Sequence, residues 1–200
     1  MINDLPSTYI FNEFGKKIRC PIYVCWKDMI RRTSKDEKIK HYEEATLEEE
    51  WLLRSNFHRW CVARDYKNMQ LDKDILIPGN NHYSPETCIF VPKIVNCNFK
   101  PHSSTNNLPG VRSKVLKSGQ IKYEAFSRAF GKRDSMYLGF FESQMEAHFA
   151  WQRHKIFTLK EISLYLKSID FKDVRIFPAL ESRISKIQLD IEMTEPTLYY

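Results

Sequence analysis

No apolar run in this sequence approaches 18 residues, which excludes a membrane-spanning helix. The first nine residues lack a basic segment followed by an apolar one. No secretory signal is expected from them, and the reading is of a cytoplasmic, intracellular protein. Cysteine is sparse and odd in number: Cys20, Cys25, Cys61, Cys88 and Cys97, at irregular spacing. That pattern argues against a disulfide framework. A zinc set of Cys20, Cys25, Cys88 and Cys97 lacks the C-x2-C form, so reduced core thiols are expected instead. The six histidines show no pair at clear metal-ligand spacing. Acidic side chains are scarce in one region. Residues 101–160 hold ten basic residues (Arg112, Lys114, Lys117, Lys122, Arg128, Lys132, Arg133, Arg153, Lys155 and Lys160) against Glu124, Asp134, Glu142 and Glu146. That surplus equals the +6 net charge of the whole chain. A basic module beside a neutral remainder is the footprint of a nucleic-acid binder. A soluble surface with a basic bias is the plainer alternative.

Two hundred residues suffice for one large or two small domains. Residues 1–19 read as a loose lead-in. Ile22, Trp26, Met29 and Ile30 fall at helical spacing and predict a helix over 21–32. Residues 33–40 are charged and turn-like. Thr46 with Glu49 has the form of a capping box, which predicts a helix over 46–64. Glu43, Glu44, Glu48, Glu49 and Glu50 would sit at or before its positive end. Strands are expected over 71–77 and 87–91, joined by the turn residues Pro78, Gly79, Asn80 and Asn81. Pro92 suits the first position of a helix over 92–98. Residues 100–109 are rich in Pro, Ser, Thr and Asn and read as a linker.

Beyond the linker the apolar period becomes two. Strands are predicted over 110–116, 121–130 and 135–141, with turns at Gly119 and Gly131. Tyr123 and Ala125 should face one way; Lys122, Glu124 and Arg128 the other. In the third strand Met136, Leu138 and Phe140 should oppose Tyr137. Ser143 and Glu146 form a second capping box. Ala147, Ala150 and Trp151 give the following helix an apolar stripe to cover the sheet. Residues 161–190 read as amphipathic helix broken at Pro178, and the last ten as frayed.

Two sets of residues carry a family resemblance. The first is Trp26, Met29, Trp51, Phe57, Trp60, the run Leu71, Asp72, Lys73, Asp74, then Gly79, Asn80, Tyr83 to Cys88, Phe90 and Asn96. It resembles phage-type HNH endonucleases, whose site is a strand, a loop, a second strand and a helix around a metal ion. The second set is Gly110, Val111, Arg112, Tyr123, Ala125, the run from Tyr137 to Phe141, Glu146, Ala147, His148, Ala150 and Trp151. It resembles an AP2-type DNA-binding domain. Together the two cover about residues 20 to 157.

The resemblance implies an α+β architecture with an HNH-like ββα-metal core, placed over 1–99, and an AP2-like three-stranded sheet on one helix, over 110–160; composition and periodicity add the linker over 100–109 and a helical extension over 161–200. It implies Asp72 as the first ligand to Mg²⁺ or Mn²⁺ and Asn96 as the second. Asn80 or Asn81 would orient the base. The histidine base of the family pattern is Lys73 here. A lysine is ordinarily an ammonium at neutral pH and an unsuited base. Asp74, placed on the Asp72 face of the strand, and His82 in the loop are the substitutes. In the AP2-like half, Arg112, Lys114, Lys122, Arg128 and Tyr137 fall on the sheet face that enters the major groove in that family. The function implied is a metal-dependent DNA endonuclease of the homing type acting on double-stranded DNA. The alternatives are a DNA-binding regulator with an inactive nuclease core, and a phage-encoded inhibitor that binds a host protein.

Overall fold

Proline fixes φ and lacks an amide proton, so it suits the first turn of a helix. Pro21 accordingly opens α1, Pro21–Thr33, of the computed structural model, which describes residues 1–34, 45–99 and 107–198. The chain is a mixed α and β fold in two units, Met1–Lys93 and Ile94–Tyr200. The division falls after Lys93, ahead of the 100–109 stretch expected as the linker. Residues 35–44, including His41, Glu43 and Glu44, lie outside the described residues, as do 100–106 with His102.

In the first unit the lead-in is built rather than loose. Strands β1, Tyr9–Phe11, and β2, Lys17–Arg19, pair antiparallel as a hairpin. Ile2 bridges Leu53, and the Arg54 guanidinium, only 2% exposed, donates to Asn3 Oδ1 at 3.1 Å. The expected helix over 46–64 begins eight residues late. Thr46–Leu47 forms strand β3, parallel to β5, His82–Tyr83, because the Thr46 amide donates to the Asn81 carbonyl at 2.9 Å. A 3-10 turn, Glu49–Leu52, follows, and Leu53 is extended, so α2 spans Arg54–Val62. Strand pairing therefore displaces the capping box, since Thr46 cannot be extended in a ladder and cap a helix over the same residues.

Strand β4, Met69–Asp72, pairs antiparallel with β6, Ile89–Pro92. It stops at Asp72, well short of residue 77. Pro92 ends β6 instead of entering a helix, and α3 is a single turn, Lys93–Asn96. Trp26, Trp51, Phe57, Trp60, Cys61, Tyr83, Cys88 and Phe90 form the core of this unit. Trp51 and Trp60 lie 4.8 Å apart, and Trp60 and Phe90 5.5 Å apart. Aromatic pairs at such spacing add about 0.5–1.5 kcal/mol each beyond the area they bury.

The second unit is a three-stranded antiparallel meander, β7 Val111–Val115, β8 Ile121–Arg128 and β9 Ser135–Phe141, covered on one face by α4, Gln144–Ser168. Ser143 and Glu146 cap α4 reciprocally, as expected. Val111, Ala125 and Ala147 form the buried centre, with Tyr123, Leu138, Phe141 and Ala150 packed around it. Gly110, at φ +78°, has no room for a side chain: a Cβ would stand 2.1 Å from the Trp151 ring.

The expected 160/161 boundary is absent, since α4 runs unbroken through it and packs on α5, Ile176–Glu192. The helical break lies between Ser168 and Ile176, and Pro178 sits in the first turn of α5, where its missing amide proton costs nothing. Nor is the tail frayed through residue 197. Thr197 is fully buried, its amide donates to His148 Nε2 at 3.0 Å and its hydroxyl to Asp190 Oδ2 at 2.7 Å. Among the described residues no helix is long and apolar enough to cross a membrane.

Candidate functional site

The first candidate is the loop after β4. A short polar side chain at a strand end can bond its own backbone and turn the chain. Asp72 does this: its Oδ1 accepts from the amides of Asp74 at 2.7 Å and Ile75 at 2.9 Å. The strand therefore ends, and Asp74 does not share a strand face with Asp72 as the period-two reading expects. Burial is the largest influence on the Asp72 carboxyl and holds its pKa above the ordinary value, against the two amides that lower it.

Lys73 is buried, its side chain 8% exposed. Burying an ammonium is costly unless it is paired and hydrogen-bonded. Here the Nζ donates to Asp74 Oδ1, to the Asn80 carbonyl at 2.6 Å and to Asn81 Oδ1 at 3.3 Å, and lies 5.8 Å from the Tyr83 ring centre. Asn80 fixes the loop from its other side. Its amide nitrogen donates to the carbonyls of Lys73 at 2.8 Å and His82 at 2.7 Å, and its Oδ1 accepts from the His82 amide at 3.2 Å. His82 meets Thr46 Oγ1 through Nδ1 at 2.8 Å and stands 3.5 Å from Glu48 Oε2 through Nε2.

Lys73, Asp74, Asn80 and Asn81 thus form one network, with His82 at its edge and Asp72 turned to the backbone. Asn96 belongs to the other unit. The carboxylates expected to serve a divalent ion are already partly engaged. One Asp72 oxygen is committed to two amides, Asp74 is engaged by an ammonium, and a second cation would lie beside that buried charge. Among the described residues no group of three or more His, Cys, Asp or Glu is arranged to hold a metal. The five cysteines are free thiols. Burial pushes Cys25 and Cys88 up to about 12.

The second candidate is the outer face of the meander. Directly opposed residues of an antiparallel ladder share a face. The register pairs Arg112 with Glu124, Lys114 with Lys122, Phe126 with Tyr137 and Arg128 with Ser135, so all five expected DNA-contact residues lie on the face away from α4. The Arg112 guanidinium lies 4.3 Å from the Phe126 ring centre, and Lys114 Nζ 5.9 Å from that of Phe140. Phe126 and Tyr137 meet edge to face at 5.5 Å. Lys114 pairs with Glu124 at 3.0 Å, and Lys122 pairs with Glu142.

Phe140 joins this face against the period-two expectation. The register slips between Ala125 and Phe126, so Leu138 is the extra residue of β9 and turns into the core, while Tyr137 and Phe140 both face out. Gly139, at φ +142°, sits at the slip. A glycine inside a strand pattern is the signal that marks such a bulge. Phe126 was legible from the alternation with Lys122 and Glu124.

No family model, curated protein or solved structure matches this chain.

Proposed function

We propose that this chain binds double-stranded DNA through the outer sheet face of its second unit. The observation that carries the reading is the set of cations, Arg112, Lys114, Lys122 and Arg128, interleaved with Phe126, Tyr137 and Phe140 on one face that α4 leaves uncovered. Cations neutralise phosphates and set affinity, and an arginine can pair bidentately with guanine. Lys114, with its side chain 55% exposed, is held by Glu124 through a pair of the kind that contributes about 0–1 kcal/mol, whereas Lys122, 12% exposed and paired with Glu142, is the least available of the four cations. The test is titration of the full chain with labelled duplex at several salt concentrations. Affinity should fall steeply with salt, at about 0.9 logarithmic units per neutralised phosphate. Arg112→Ala or Arg128→Ala should weaken binding, and one that reads a guanine should also relax sequence preference at about 1–3 kcal/mol. Absence of duplex binding at near-physiological salt, with a stable complex to a host protein, would replace this reading by that of an inhibitor.

A second reading, an HNH-type endonuclease, is favoured by one observation: the order β4, loop, β6, α3, with Asn80 bridging the backbone of Lys73 and His82. It expects nicking of supercoiled plasmid with Mg²⁺ or Mn²⁺, abolished by Asp72→Ala with duplex affinity retained. Intact plasmid with both metals leaves the DNA-binding reading alone.

A further inference from the structure

The N-terminal hairpin exposes what a folded chain normally buries. Phe11 is 73% exposed and Phe14 84%, with Tyr9 at 42%. The register pairs Tyr9 with Arg19, Ile10 with Ile18 and Phe11 with Lys17. Tyr9, Phe11, Lys17 and Arg19 therefore share one face, each ring directly across from a cation. Lys17 Nζ also lies 5.0 Å from the Tyr9 ring centre. Phe14 and Lys16 extend the same composition into the turn.

The turn is built to hold them. Asn12 Oδ1 accepts from the amides of Phe14 at 3.1 Å and Lys16 at 2.9 Å, and Gly15 takes the left-handed conformation at φ +69°. The base of the hairpin is fixed by the Cys20 amide donating to the Thr8 carbonyl at 2.9 Å, next to α1. A short ribbon thus presents three rings and three cations, Lys16, Lys17 and Arg19, against one acid, Glu13.

We propose that this hairpin is a second DNA-contacting surface, a two-stranded ribbon that lies against duplex DNA; this rests on the reading that the chain binds duplex DNA. The charge is complementary to a duplex, which carries one negative charge per about 1.7 Å of axis, a line that successive cations on a strand can follow. The major groove admits a two-stranded ribbon, and exposed rings supply apolar contact with sugars and thymine methyl groups. The outer face of the second unit repeats the same pairing of rings and cations on a sheet surface, in Arg112 with Phe126 and Lys114 with Phe140.

The experiment is fluorescence anisotropy of a labelled duplex with the full-length wild type, Phe11→Ala/Phe14→Ala, Lys16→Glu/Lys17→Glu and Arg112→Ala/Arg128→Ala, over a salt series. Circular dichroism and sedimentation velocity accompany each. The hairpin changes are at exposed positions, so secondary structure and melting should match the wild type. Each hairpin variant should bind about tenfold or more weakly, and Lys16→Glu/Lys17→Glu should reduce the salt slope by about two. Wild-type affinity and slope in both hairpin variants would overturn the inference. Should the sheet variant alone lose affinity, the hairpin surface falls and the sheet reading stands. Should the hairpin variants alone lose it, the reverse holds. Dissociation of a self-associated species by Phe11→Ala/Phe14→Ala at unchanged DNA affinity would assign the surface to a second copy of the chain and overturn the inference.

Discussion

Lys73 sets what the loop after β4 is built around. An imidazole at that place would be exchangeable and reactive near neutral pH. The ammonium is instead held by three oxygens, from Asp74, Asn80 and Asn81. It is a fixed internal cation that ties the ends of the loop together. Asp72 beside it gives a pH test. Its carboxyl pKa is raised in the folded state, chiefly by burial, so the native chain holds the proton more tightly than the unfolded one. The stability this group contributes is fully present below its unfolded pKa and is lost as pH rises through the folded value. Asp72→Asn keeps an oxygen for the amides of Asp74 and Ile75 without the buried charge. Its melting temperature should exceed that of the wild type near pH 7, and the gap should close as pH falls toward about 4. A thermal-melt series in both proteins checks the sign.

At the scale of the element, local signals were legible where nothing long-range competed. Pro21 opened α1, Ser143 and Glu146 capped α4, and Gly119 and Gly131 turned the meander, all as the sequence predicts. The failures share a cause. Thr46 was taken from its helix by pairing with a strand 36 residues away, and Asp72 ended its strand through its own side chain. Neither event has a periodicity. The bulge at Leu138 likewise inverted the rest of β9 and hid Phe140 from an alternation count. At the sheet face, alternation along the strands marked Lys122, Arg128 and Tyr137, while Arg112 and Lys114 entered through the family resemblance; the register puts all five on one face. Gly110 supplies the test at this scale. Its positive φ disfavours any side chain, and Trp151 fills the space one would need. Gly110→Ala should destabilise the second unit by about 2–4 kcal/mol, from backbone strain and overpacking together. Urea unfolding followed by far-ultraviolet circular dichroism would measure it.

For the whole molecule, the second unit is closed by its last described residues. His148 is fully buried, and its Nδ1 donates to the Pro109 carbonyl at 2.8 Å while its Nε2 accepts from the Thr197 amide. Gln152 donates to the Glu195 carbonyl at 3.1 Å and to Thr197 Oγ1 at 2.9 Å. One side chain thus links the entry to β7 with the tail beyond α5. Truncation after Met193 should lower the melting temperature of the second unit, leave the first unaffected and weaken duplex binding. Differential scanning calorimetry would resolve the two. The clasp also sets an order of events during synthesis. The sheet is complete at Phe141, but the residue that locks His148 is Thr197, 56 positions later. At about 5–20 residues per second, a ribosome needs about 3–11 s to supply it. For the first part of that interval α4, Gln144–Ser168, is itself incomplete, and for the rest it lacks the Thr197 clasp, so nascent chains are the form of this protein most open to protease and to stray polyanions.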